Sequence, residues 1–137
     1  MALPSIGGGR QLGDGNTNEI IIGTQAAPQT ATATATLTVP QILGGILVGD
    51  PSTSAASYTL PTVASLELVL VNAKVNSTFE LSIVNLGTSS GIITVLVGTG
   101  WTLVGMVTMP ITTSAGSTGR FRARKTGDGA WTMYRIS

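Results

Sequence analysis

Thr78-Phe79-Glu80-Leu81-Ser82-Ile83-Val84 has the cleanest alternation in the chain. Phe79, Leu81 and Ile83 recur at a spacing of two, with Glu80 and Ser82 between them. Side chains alternate between the faces of a strand, so this spacing gives one apolar and one polar face. A half-buried strand follows, with Phe79, Leu81 and Ile83 turned inward. The segments at 92–97, 101–104, 106–109, 119–125 and 130–136 read as further strands. Gly98-Thr99-Gly100, Ser114-Ala115-Gly116-Ser117 and Thr126-Gly127-Asp128-Gly129 supply turns. Towards the N-terminus, residues 30–39 alternate Thr with Ala, Leu or Val, which suits a strand better than a helix. Pro40-Gln41-Ile42-Leu43 interrupts that strand as one helical turn, and Ile46-Leu47-Val48 and Ser57-Tyr58-Thr59-Leu60-Pro61 continue the series around a loop at Asp50-Pro51-Ser52. Thr62 is placed to cap a helix over 63–71, although Leu68-Val69-Leu70-Val71 also suits a strand. Eight or more closely spaced strands with little helix predict an all-β fold. The expected form is an antiparallel β-sandwich, jelly-roll-like, with at most one short helix.

Residues 1–28 are expected to form a flexible N-terminal arm and residues 29–137 the sandwich body. Gly7, Gly8, Gly9, Gly13 and Gly15 make regular structure entropically costly in the arm. Leu3, Ile6 and Leu12, with Arg10, are its candidate anchors on a neighbouring surface. Its start lacks the basic and apolar regions of a secretory signal, so a soluble protein made inside the cell is expected. The longest apolar stretch, 63–71, is too short to cross a bilayer and contains Glu67, so no membrane partner is expected.

Charged residues make up 9% of the chain, against about 25% in an average globular protein. So few charges suggest that much of the surface is covered by other copies or by a partner. The chain has no cysteine, which excludes disulfides and thiolate metal sites. It has no histidine either, the commonest general base and metal ligand at neutral pH. The acids are Asp14, Glu19, Asp50, Glu67, Glu80 and Asp128, and they form no local constellation. A hydrolase would need Glu67 and Glu80 to meet in one cleft. Asp14-Gly15-Asn16-Thr17-Asn18-Glu19 starts like a calcium loop but has Glu19 where that loop needs glycine. Gly7-Gly8-Gly9 lacks the Lys-Ser/Thr ending of a phosphate loop. No enzymatic activity, metal or cofactor is expected.

Five of the seven basic residues fall in the last eighteen positions. Arg120, Arg122 and Arg124 share one strand face about 7 Å apart, while Phe121 and Ala123 take the other. Such a row can meet phosphates, acids of a neighbouring subunit or a carboxylate-rich protein surface. Nucleic-acid binding calls for a broader basic field with exposed aromatics. The net charge is only +1, and Phe121 and Tyr134 are expected on the core face. The row is therefore read as a protein contact, to a subunit or to another protein, with an ordinary solvated face as the alternative, and no nucleic-acid partner is expected. Trp101, Trp131 and Phe79 are expected in core or interface packing.

Five segments carry a resemblance. They are Ile42-Leu43-Gly44-Gly45-Ile46-Leu47-Val48-Gly49, Tyr58-Thr59-Leu60-Pro61-Thr62, Phe79-Glu80-Leu81-Ser82-Ile83-Val84-Asn85, Gly98-Thr99-Gly100-Trp101-Thr102-Leu103-Val104-Gly105 and Phe121-Arg122-Ala123-Arg124-Lys125-Thr126-Gly127. Together they resemble small β-rich capsid decoration (cement) or head-fibre proteins of tailed bacteriophages. The likeness covers about three quarters of the chain, from Thr36 onward. It implies a homotrimer bound to the major capsid protein on the outer surface of the virion and made in the host cytoplasm. A trimer bridging several coat subunits would hold the shell by avidity. The other reading is a head- or tail-fibre module that contacts host surface glycans, with Trp101 as its candidate aromatic platform.

Overall fold

The computed structural model describes residues 23–111 and 116–137. The candidate arm contacts Leu3, Ile6, Arg10 and Leu12 lie outside the described residues. The described residues form ten strands and two helices: β1 (Gln29–Ala31), β2 (Ala35–Thr36), α1 (Val39–Leu43), β3 (Ile46–Gly49), β4 (Ala56–Thr59), α2 (Val63–Val69), β5 (Thr78–Asn85), β6 (Ile93–Leu96), β7 (Trp101–Val104), β8 (Thr108–Met109), β9 (Thr118–Gly127) and β10 (Ala130–Arg135). The protein is mostly β, as the alternation predicts.

Two helices are present where at most one was expected, and each starts at a threonine cap. The Gln41 amide donates to Thr38 Oγ1, and the Gln41 side chain in turn accepts from the Thr38 amide, closing a capping box at α1. At α2 the Ser65 amide donates to Thr62 Oγ1 at 3.2 Å. This fixes 63–69 as helix and settles the ambiguity between helix and strand there. The strand expected over 30–39 is broken between β1 and β2, where the chain turns from one sheet to the other.

The strands form a six-stranded sheet in the order β1-β3-β5-β9-β10-β7 and a four-stranded sheet in the order β2-β4-β6-β8. From β1 to β6 the chain alternates between the two sheets, and its successive visits pair in parallel: β1 with β3 with β5, and β2 with β4 with β6. The first two returns from the four-stranded to the six-stranded sheet run through a helix, α1 after β2 and α2 after β4. The expectation of an antiparallel body is corrected here. Among the described strands, β5–β9, β9–β10 and β6–β8 pair antiparallel, and β7 joins β10 in parallel. A chain that leaves a sheet, crosses to the other and returns one position over in the same sense must pair in parallel. Alternation of side chains carries no information about that sense.

One core cluster draws on both sheets and both helices. Leu47, Leu81, Ile83, Phe121, Trp131 and Met133 come from the six-stranded side, Tyr58, Ile93, Val95 and Met109 from the four-stranded side, and Ile42 and Leu66 from the helices. Tyr58 spans the layers, donating from its hydroxyl to the Ala31 carbonyl at 2.7 Å. Gly49 makes room for that ring: a Cβ there would stand 2.4 Å from Ile93 Cδ1 and 2.9 Å from the Tyr58 ring. Asn85, almost fully buried, donates to the Gly91 and Met109 carbonyls and accepts from the Gly87 amide, which ties the end of β5 to β8. Its amide is therefore satisfied without water.

Gly49→Ala is expected to destabilise the fold by about 1–3 kcal/mol, because a dense core resists an added methyl group. Chemical denaturation checks this, and an unchanged midpoint would mean that the Tyr58 ring has room to move.

Candidate functional site

The outer face of the six-stranded sheet carries the arginine row. Along β9, Gly119, Phe121, Ala123 and Lys125 are buried, while Arg120 and Arg122 are exposed and Arg124 is partly exposed. The division of Arg120, Arg122 and Arg124 from Phe121 and Ala123 thus follows the sequence pattern. The ladder to β5 sets Glu80 opposite Arg122 and Ser82 opposite Arg120. Glu80 therefore stands between two arginines. Its Oε2 accepts from Arg120 Nε at 3.1 Å and its Oε1 from Arg122 Nε at 3.0 Å, with a second bond from the Nη2 of each. The hydrogen bonds from Arg120, then those from Arg122, hold the Glu80 carboxyl below its ordinary pKa. Arg124 is held separately, donating from Nη1 to Asn76 Oδ1 at 2.8 Å and from Nη2 to the Tyr134 hydroxyl at 3.2 Å. The three guanidiniums are thus positioned within the protein, yet the side chains of Arg120 and Arg122 remain half exposed.

Tyr134 is a correction to the sequence reading, which set it on the core face. It lies opposite Arg122 on β10, between the inward-facing Met133 and the chain end, and its hydroxyl meets Arg124. The inward positions of β10 are Trp131 and Met133, so strand alternation puts Tyr134 outside.

A second charged cluster lies on the opposite face of the sheet. Lys125 continues the inward series of β9, and its side chain is only 8% exposed. Its ammonium contacts Glu67 Oε1 and Asp128 Oδ1, each at 3.1 Å, and donates to the Ala73 carbonyl at 3.2 Å. Glu67, on α2, also accepts from the Gly129 amide and from Trp131 Nε1. Burial pushes the Glu67 carboxyl up, but the hydrogen bonds from Lys125, Gly129 and Trp131 outweigh it and hold the pKa below its ordinary value. The bonds to Asp128 and then Glu67 raise the Lys125 pKa. Chemically this is a clamp: α2 grips the turn between β9 and β10 through charges that satisfy one another. Glu67 and Glu80 serve opposite faces of one sheet, each committed to its own cations, so they form no facing pair in a cleft.

Both tryptophans are buried. Trp101 is 7% exposed, donates from Nε1 to the Pro61 carbonyl at 2.7 Å and lies 6.1 Å from Trp131. It offers no platform for a sugar ring, which corrects its place as a glycan-binding candidate. Phe79 packs 5.6 Å from Trp131 at the floor of an open apolar depression of about 320 Å³. Leu70, Val71 and Ala73 line its wall. Among the described residues no group of three metal-ligating side chains comes together, and no helix is long and apolar enough to cross a membrane.

The sequence singled out the arginines but gave Glu80 no part in their row. The missing signal was the pairing of β5 with β9, which joins residues some forty positions apart. Lys125 was also passed over, although continuing the alternation from Phe121 through Ala123 leads to it. No known protein family, curated protein or solved structure matches the chain.

The clamp predicts a pH dependence. Carboxyls with lowered pKa values stabilise the fold fully above their ordinary value of 4.5, and that stability is lost as the pH falls through the lowered folded values. The raised Lys125 pKa acts at the other end, stabilising below the ordinary 10.5 and fading as the pH climbs through the folded value. Glu67→Gln is expected to lower the melting temperature by several degrees at neutral pH and to flatten the acid limb of its pH profile. Calorimetry across the acid range checks both effects, and an acid limb as steep as that of the unaltered protein would assign it to other groups.

Proposed function

We propose that this chain is a structural virion protein of the bacteriophage decoration type, a homotrimer that binds the major capsid protein on the outer surface of the shell and stabilises it. The carrying observation is the apolar surface. Leu68, Val71 and Met106 are 80%, 73% and 64% exposed on a chain with few charges. Large apolar side chains left in water in this number mark surfaces meant to be covered. The resemblance in the five quoted segments supports the same reading. In this reading the two sheets are the layers of a sandwich, jelly-roll-like in enclosing one core though not in strand direction. The reading involves no catalytic step, metal or cofactor, and its work is contact.

The fibre alternative draws no support from the aromatic side chains. None of Tyr58, Phe79, Trp101, Phe121, Trp131 and Tyr134 is fully exposed. A decoration trimer, by contrast, needs only complementary surfaces and several simultaneous contacts, whose combined avidity exceeds that of each alone.

Two measurements test the proposal. Sedimentation is expected to give a particle of about three times the 13.9 kDa chain mass. Gold-labelled antibody against the chain is expected to decorate the heads of purified virions in electron micrographs. A monomer in solution together with unlabelled heads would sink the decoration reading.

A further inference from the structure

We infer that the outer face of the six-stranded sheet docks carboxylates of a different protein, and that it is neither a contact between copies of this chain nor a nucleic-acid site. In the setting proposed above that protein is the shell, and this identification alone rests on the decoration reading.

The inference starts from what Glu80 does to the row. It holds Arg120 and Arg122 side-on through Nε and Nη2 and leaves the Nη1 groups without a partner among the described residues. Arg124 uses one donor on Asn76 and one on Tyr134, and its other donors have no partner among the described residues. Guanidiniums fixed in this way lose little side-chain entropy when a carboxylate docks on them. The cluster of Arg120, Arg122, Arg124 and Glu80 keeps an excess of positive charge, and its counterpart must be acidic.

A second copy does not supply that counterpart from the described residues. Glu67 is occupied by Lys125, Gly129 and Trp131, and Glu80 belongs to the row itself. Asp50 accepts from the Ser52 amide in its own loop, and Asp128, fully exposed in the β9–β10 turn and paired with Lys125, offers a single carboxylate against three arginines. Two such faces brought together would set arginines against arginines, and like charges across an interface are costly. A phosphate backbone fits no better. Glu80 puts a negative charge in the middle of the row, Val48 and Val84 beside it are aliphatic, and Tyr134 on this face is only partly exposed, with its hydroxyl held by Arg124. Discrete carboxylates, each placed against one or two arginines, fit both the charge and the spacing.

Poly-L-glutamate and a DNA duplex serve as probes, each measured by interferometry at low salt against the immobilised full chain. Poly-L-glutamate is expected to bind the unaltered protein more tightly than DNA does. The variant with Arg120→Ser, Arg122→Ser and Arg124→Ser together is expected to lose about tenfold or more of that affinity, with the sedimenting mass unchanged. Arg120→Gln and Arg122→Gln, made singly, each leave Glu80 one guanidinium. They are expected to keep the fold, read by circular dichroism, and to lose part of the affinity. Four results would overturn the inference: no binding of poly-L-glutamate, tighter binding of DNA, full affinity in the folded single variants, or dissociation of the oligomer in the triple variant. Residues 1–22 carry Asp14 and Glu19, so their deletion is the remaining control. Unchanged binding is expected, and a rise would show that the row is covered by the chain's own segment, which also overturns the inference. Unlabelled virion heads with intact carboxylate binding would remove the decoration reading and leave this one standing.

Discussion

Seven residue pairs hold β5 against β9, from Thr78 opposite Arg124 to Val84 opposite Thr118. Every other part of the molecule depends on that ladder. On its inner face it sets Phe79 beside Ala123, Leu81 beside Phe121 and Ile83 beside Gly119, which is the centre of the core. On its outer face it sets Glu80 beside Arg122 and Ser82 beside Arg120. A slip of one residue would turn the arginines into the core and Phe121 into water, so burial of the aromatic ring fixes the register. The charged face is therefore specified by the hydrophobic effect acting on the other side of the same strand.

The ladder also joins two different ways of building a sheet. Before it, the chain winds between the sheets and pairs in parallel; after it, β9 and β10 close as an antiparallel hairpin. Parallel neighbours need long connections, and α1 and α2 supply them on the return crossings. This explains why short helices capped by Thr38 and Thr62 occur in a chain otherwise rich in strand signals. It also explains Gly49 and Tyr58. Where two windings stack closely, one position must give up its side chain so that a ring can reach across to Ala31.

Much of this was legible in the sequence. Alternation placed the strands, turned Phe79, Leu81, Ile83, Phe121 and Ala123 inward, and left Arg120, Arg122 and Arg124 outside. These features depend on local geometry, where a period of two has one meaning. Strand direction was not legible, because a strand shows the same alternation whichever way its neighbour runs. The partners of the arginines were equally hidden, since Glu80 and Asn76 approach them only through long-range pairing. Tyr134 was misplaced for another reason: an aromatic residue suggests burial, but its hydroxyl gives it a use on a polar face.

Glu80 shows how such a face can be both ordered and available. Exposed ion pairs add little to stability, because water screens the charges and the long side chains must be held in place. Relief of repulsion within the row gives Glu80 a first role, since unpaired arginines about 7 Å apart on neighbouring positions of one strand face would repel. Its second role is geometric. By engaging two guanidiniums side-on, it fixes their planes while leaving donors on each for a partner. A fully neutralised row would have nothing to offer a second protein, and an unpaired row would be mobile. One glutamate among three arginines gives a surface whose charge is partly balanced, whose geometry is set before contact, and whose remaining capacity favours carboxylates.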